Sequence, residues 1–93
     1  MGNNLQIFYD LSAPDRNGES VIDTIKTLGS WARIHPAMWY VNSDLTAADA
    51  RDKLLLKLAP SDVLYVVDSV KNEAAWHNVS TEASAFIKQN WPK

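Results

Sequence analysis

A chain of 93 residues with 46% apolar and 10% aromatic residues suffices for one small domain and not for two. It contains no cysteine, which excludes disulfide frameworks, thiolate zinc sites and cysteine nucleophiles. Nine Lys plus Arg against eleven Asp plus Glu leave a net charge of −2, which excludes nucleic-acid binding by bulk electrostatic attraction.

The opening residues Met1-Gly2-Asn3-Asn4 show no basic segment and no apolar run of signal length, so a soluble cytoplasmic protein without membrane contact is expected. Leu5-Gln6-Ile7-Phe8-Tyr9-Asp10 reads as a strand. Ser12 to Gly18 is dense in turn residues and reads as a loop. Val21, Ile22, Ile25 and Leu28 then recur at helical spacing. Asn17 or Asp15 is the expected N-cap of this helix, and Gly29 its left-handed C-terminal residue.

Two strand-like runs follow, Ser30 to Ile34 and Ala37 to Asn42, joined by a His35-Pro36 hairpin connection. Thr46 with Asp49 three residues on resembles a capping box. It opens a helix with Ala47, Ala50, Leu54 and Leu58 on one face, which runs to Ala59 and stops at Pro60. Val63-Leu64-Tyr65-Val66-Val67 is the clearest buried strand. A short strand around Ala74-Ala75-Trp76 and a helix from the Ser80 cap, with Ala83, Phe86, Ile87 and Trp91 on one side, complete the chain.

The order is β-α-β-β-α-β plus a tail, which predicts an α+β ferredoxin-like split unit with a four-stranded antiparallel sheet and both helices on one face. Residues 1–93 form a single domain in this reading, with a core over 4–70 and a C-terminal extension over 71–93. The sheet carries more apolar surface than two helices cover. Val63, Tyr65 and Val67 point one way and Leu64 and Val66 the other, while Ala37, Trp39 and Val41 oppose Met38 and Tyr40. Either the tail, with Trp76, Phe86 and Trp91, folds over the second face, or a second copy packs sheet against sheet; the two are compatible. The preferred expectation is a homodimer with Phe8, Leu64 and Val66 in its interface.

Asp10 is the most informative ionisable residue, because it ends an apolar strand and opens a loop. Two readings stand beside each other. Asp10 anchors its own loop by accepting backbone N–H groups from Leu11 to Ala13, or two copies across a dimer axis hold Mg²⁺ or Mn²⁺ for phosphodiester cleavage. His35 and His77 have no carboxylate or second histidine at metal-ligand spacing, and three glycines cannot build a phosphate-cradling loop. Basic residues are scattered; Arg16 in the first loop and Arg33 on the second strand are the candidate nucleic-acid contacts near Asp10.

The strand ending Phe8-Tyr9-Asp10-Leu11-Ser12, the helix closing on Leu28-Gly29, Trp31, and the strand Met38-Trp39-Tyr40-Val41 resemble a family of short bacterial and phage proteins. These are the SinR-like or CRISPR-associated-protein-two-like proteins, the latter being the small subunit of CRISPR spacer acquisition. The likeness spans roughly residues 5 to 70. It implies a ferredoxin-like fold, a homodimer formed through the sheets, and a nucleic-acid-related role, as a metal-dependent endonuclease or as a DNA-holding scaffold in a larger protein complex. It also implies that Asp10 occupies the position of the family's metal ligand. The chain departs from the family pattern in having only Arg16, beside Asp15, where paired basic residues follow the aspartate, and Ala37 where a small hydroxyl residue opens the third strand. The alternative is a non-enzymatic dimeric interaction or regulatory module that binds a protein partner or a small ligand, DNA and RNA being equally open under the first reading.

Overall fold

The computed structural model describes residues 2–12 and 18–91. Five strands, β1 (Asn3–Asp10), β2 (Gly29–His35), β3 (Met38–Ser43), β4 (Val63–Asp68) and β5 (Glu73–His77), and three helices, α1 (Glu19–Thr27), α2 (Ala47–Leu55) and α3 (Thr81–Asn90), form an α+β structure. The strands make one sheet in the order β2-β3-β1-β4-β5, every neighbouring pair antiparallel. The tail strand thus joins the sheet as a fifth member, beyond the four-stranded expectation. Both helical crossovers, β1-α1-β2 and β3-α2-β4, skip one strand, so β1 and β3 end up interleaved at the centre.

One face of the sheet is the core. Leu5, Ile7 and Tyr9 of β1 lie across from Val41, Trp39, Val66 and Leu64, and all are buried. Val21 and Ile25 of α1 and Ala47, Ala50 and Leu54 of α2 close over them. Leu64 and Val66 are fully buried in this layer. They are therefore on the helix-covered side, whereas Phe8, across from Met38 and Tyr65, is on the opposite side. The expected interface trio does not share a surface. The side chains of β4 that accompany Phe8 are Val63, Tyr65 and Val67, because strand neighbours alternate and directly opposed residues share a face.

Element ends follow local chemistry. The Thr46 hydroxyl accepts from the Asp49 N–H at the start of α2, and the Ser80 hydroxyl from the Ala83 N–H at the start of α3, as the sequence predicts. The regular part of α2 stops at Leu55 rather than Ala59. There the Lys57 and Leu58 N–H groups turn to the carbonyls of Leu54 and Leu55, tightening the last turn before Pro60. On α1 both cap expectations are corrected. Its N-cap is Gly18, in the left-handed region at φ 73° with no side-chain cap, while Asp15 and Asn17 lie outside the described residues. Its C-cap is Leu28 in a right-handed conformation, and Gly29 is instead the first residue of β2.

Gly29 is needed for a different reason from the one its position suggested. A Cβ there would overlap the Asn42 carbonyl oxygen of the paired strand. The backbone of β3 leaves no room for it to shift without disturbing the Ser43 end of the ladder. Among the described residues no helix is long and apolar enough to cross a membrane.

The face expected of α3 is rotated. Phe86 is 67% exposed and Ala83 is exposed, whereas Ser84, Ile87 and Trp91 turn toward the sheet. Two indole N–H bonds hold the helix: Trp76 Nε1 donates to Ser84 Oγ (2.7 Å) and Trp91 Nε1 to the Asn72 carbonyl (2.7 Å). Overpacking against rigid backbone predicts that Gly29→Ala destabilises the fold by about 1–3 kcal/mol. Urea unfolding should show this as a lowered midpoint with an unchanged slope.

Candidate functional site

The end of the sheet where β1 finishes also carries the β2–β3 turn, the start of β4 and the end of β5. Asp10 is exposed there, opposite Val63 and on the same face as Phe8. Its carboxylate accepts no hydrogen bond among the described residues, so in those residues it is not the anchor of its own loop.

That anchor is Asp62, in the short connection between α2 and β4. Fully buried, its Oδ1 accepts the Ser12 N–H (2.8 Å) and the Ser12 hydroxyl (3.0 Å), and its Oδ2 accepts the Ala59 N–H (2.7 Å). One carboxylate thus ties the loop after β1 to the turn that leads into β4. The Ser12 and Ser61 hydroxyls lie 2.6 Å apart beside it. The same corner is closed further by Asn78 Nδ2 donating to the Ser61 carbonyl and by His77 Nε2, 3.2 Å from the Pro60 carbonyl oxygen. His77 is therefore a structural contact between β5 and the β4 approach.

Of the two candidate nucleic-acid contacts only Arg33 lies among the described residues, and it is not brought to Asp10. Arg16 lies outside the described residues. Arg33 pairs with Trp39 across the β2–β3 ladder and so projects on the helix side of the sheet, the face opposite Asp10, with β3 between their strands. Its guanidinium sits 5.0 Å from the centre of the Trp39 ring and donates to the Pro36 carbonyl at 3.1 Å. Trp31 lies 5.3 Å from Trp39 at a tilt of 56°, and the Lys26 ammonium lies 4.8 Å over Trp31. Trp39 is buried, so this cation–aromatic series braces the β2 edge against α1, and only Trp31 presents ring surface outward. His35 Nδ1 accepts the Ala37 N–H, which fixes the hairpin turn.

On the face shared by Asp10 and Phe8 a cross-strand row runs Met38–Phe8–Tyr65–Trp76 over four strands. Tyr65 and Trp76 are stacked, with centroids 5.8 Å apart at 28°. α3 lies over the Trp76 end of the row, through Ser84, while Phe8 remains 39% exposed and Ile34 63% exposed toward β2. The tail therefore covers one part of the second face and leaves the other open. The open part becomes polar toward the far end of β1, where Asn4 Oδ1 accepts from Tyr40 Oη (2.6 Å) and Asn42 Nδ2 (3.3 Å).

Chemically, Asp10 is a carboxylate that no other described residue engages, at the rim of an apolar surface. No group of three or more His, Cys, Asp or Glu side chains positioned to hold a metal occurs among the described residues. A divalent ion at Asp10 would need further oxygen ligands, from a second copy or from substrate phosphates. Comparison with protein-family models, with curated proteins and with solved structures gave no match.

The Asp62 staple was hidden because a single aspartate after Pro60-Ser61 is ordinary turn composition; only its burial and its partner Ser12, fifty residues away, mark it. Asp62→Ala leaves the Ser12 and Ala59 N–H groups without an acceptor, and is expected to cost about 2–4 kcal/mol. Chemical denaturation measures that cost, and faster proteolysis near Ser12 is its local signature.

Proposed function

We propose that the chain is a homodimeric interaction module of ferredoxin-like type that associates through the face opposite α1 and α2. What carries the reading is the Met38–Phe8–Tyr65–Trp76 row, which α3 caps at one end and leaves open at the other. The order β2-β3-β1-β4, with both crossover helices on one face, supports the ferredoxin-like assignment, β5 and α3 being additions to it. The open face suits a second copy, because a two-fold axis through β1 apposes Phe8 and Met38 with their own equivalents and keeps the polar Asn4–Tyr40–Asn42 end at the rim. Such an interface uses Phe8, Met38 and Val67 in place of Leu64 and Val66.

The dimer should be seen by sedimentation of the full chain. Phe8→Lys puts a charge at its centre and should raise the dissociation constant at least about tenfold, while the thermal transition of the monomer changes little, since Phe8 is already partly exposed. A monomer at all concentrations in the unsubstituted protein rejects this reading.

A second reading is favoured by one observation, the Asp10 carboxylate on the associating face, which no other described residue engages, at the position implied by the resemblance to the SinR-like and CRISPR-associated-protein-two-like proteins. Two such carboxylates brought together by the dimer would hold Mg²⁺ or Mn²⁺ and orient water toward a phosphodiester of bound DNA or RNA. In that case cleavage of short duplexes requires the ion and is lost in Asp10→Asn with the dimer intact. Cleavage retained by a clean Asp10→Asn preparation eliminates it. Binding without cleavage, weakening steeply with salt, would mark the scaffold form of the same role.

A further inference from the structure

β5 closes one edge of the sheet. Its ladder runs only to β4, from Leu64↔His77 to Asp68↔Glu73. On its outer side the strand offers N–H and C=O groups that no described residue pairs. Proteins usually guard such an edge with lysine, proline or a bulge. The run Glu73-Ala74-Ala75-Trp76-His77 has no lysine or proline, and its register is unbroken.

The edge is also recessed. α2 packs against β5 on one face, and α3 crosses the other through the Trp76–Ser84 bond. Between them runs a groove of about 240 Å³ lined by Arg51, Ala74, Ala75, Trp76 and Lys88. It continues into a cleft of about 300 Å³ where Ile87 and Trp91 join Trp76. The two alanines keep the floor shallow, so an incoming backbone can approach β5 closely.

The charge of the lining is one-sided. Arg51 comes from α2 and Lys88 from α3, and no residue lining the groove is acidic; the one acid of the edge, exposed Glu73, stands at the start of β5 outside that lining. Arg51 already takes a carboxylate, that of its neighbour Asp52, at 3.0 Å. Asp52 is 62% exposed, so that pair is well screened by solvent and easily exchanged for another acid.

We infer that this edge is a docking groove for an extended acidic segment of a partner protein, added beside β5 as a sixth strand. Side chains alternate along such a segment, so acids on one face meet Arg51 and those on the other meet Lys88, with an apolar residue against Trp76. A second copy of this chain is the poorer occupant. Pairing β5 with β5 would bring two Arg51 and two Lys88 side chains together at one seam. The groove lies at the opposite edge from β2 and does not depend on the dimer face proposed above.

The test is fluorescence anisotropy of the full chain with a labelled Glu–Val hexapeptide, Glu-Glu-Glu-Val-Glu-Glu, which in an extended strand carries acids on both faces and one apolar residue on the face turned to Trp76. Saturable binding is expected, weakened at least about tenfold in Arg51→Glu/Lys88→Glu and unaffected by Phe8→Lys. Alternate N-methylation of the peptide should abolish binding in one register and spare it in the other, because only a strand-adding mode needs half of its N–H groups. The inference is overturned by absent binding, by equal binding of a Lys–Val hexapeptide, by an unchanged affinity in the double variant, or by tolerance of N-methylation in both registers. Both Arg51 and Lys88 lie at the surface of their helices, so the variant is expected to fold, and its thermal transition checks that directly.

Discussion

The structure depends on β1 being paired along both of its edges. Six of its residues are matched to β3 and six to β4, in registers that overlap from Leu5 to Phe8. Its neighbours are separated from it in sequence by the whole α1–β2 unit on one side and by α2 as well on the other. From Leu5 to Phe8 every residue of β1 therefore has a strand neighbour on each side, its hydrogen bonds going alternately to β3 and to β4, and every second side chain lies in the core. Leu5, Ile7 and Tyr9 can occupy the helix-covered face only if Gln6, Phe8 and Asp10 occupy the other, because the strand period admits no alternative. The burial of the core and the exposure of the Phe8–Asp10 face are two results of one register.

This coupling explains which features were legible in the sequence. Element identity and order were readable from local pattern: the helical spacing of Val21, Ile25 and Leu28, the Thr46 and Ser80 caps, and the apolar run at Val63 to Val67. Which face of a doubly apolar strand enters the core is not a local property. Leu64 and Val66 differ from Val63 and Val67 only through their partners Tyr9 and Ile7, so the choice waited on the β1–β4 register. Gly29 shows the same limit. A glycine after a helix usually signals a left-handed cap, but the contact that selects it comes from Asn42 on another strand. Around the candidate site, the place of Asp10 at a strand end was readable, whereas Asp62 acquires its role from Ser12, a residue far away in sequence.

The two faces of the sheet consequently do different work. The helix-covered face is filled, and its peripheral cation–aromatic contacts around Trp31 and Trp39 seal the β2 side. The other face is finished only where α3 reaches it, through two indole hydrogen bonds and half-buried Ile87. No residue of α3 is buried, so this helix contributes little to the core and mainly shapes the surface around Trp76 and Trp91. α3 thus modifies what the sheet presents, whereas β5, with buried Ala75, is part of the sheet itself.

The central place of β1 bears on how the chain is made. β1 leaves the ribosome ahead of every other described element, yet its partner β4 begins only at Val63. Once β3 has emerged, a β2-β3-β1 sheet can form, but the β4-facing edge of β1 stays vacant until Val63 to Asp68 follow. Closure of that gap joins segments more than fifty residues apart and pays a large loop entropy late. The Asp62 carboxylate emerges immediately ahead of β4 and finds Ser12, at the tip of β1, already made. It is placed to register the arriving strand against the waiting one, so the joining of β4 to β1 is guided from the end where β4 begins.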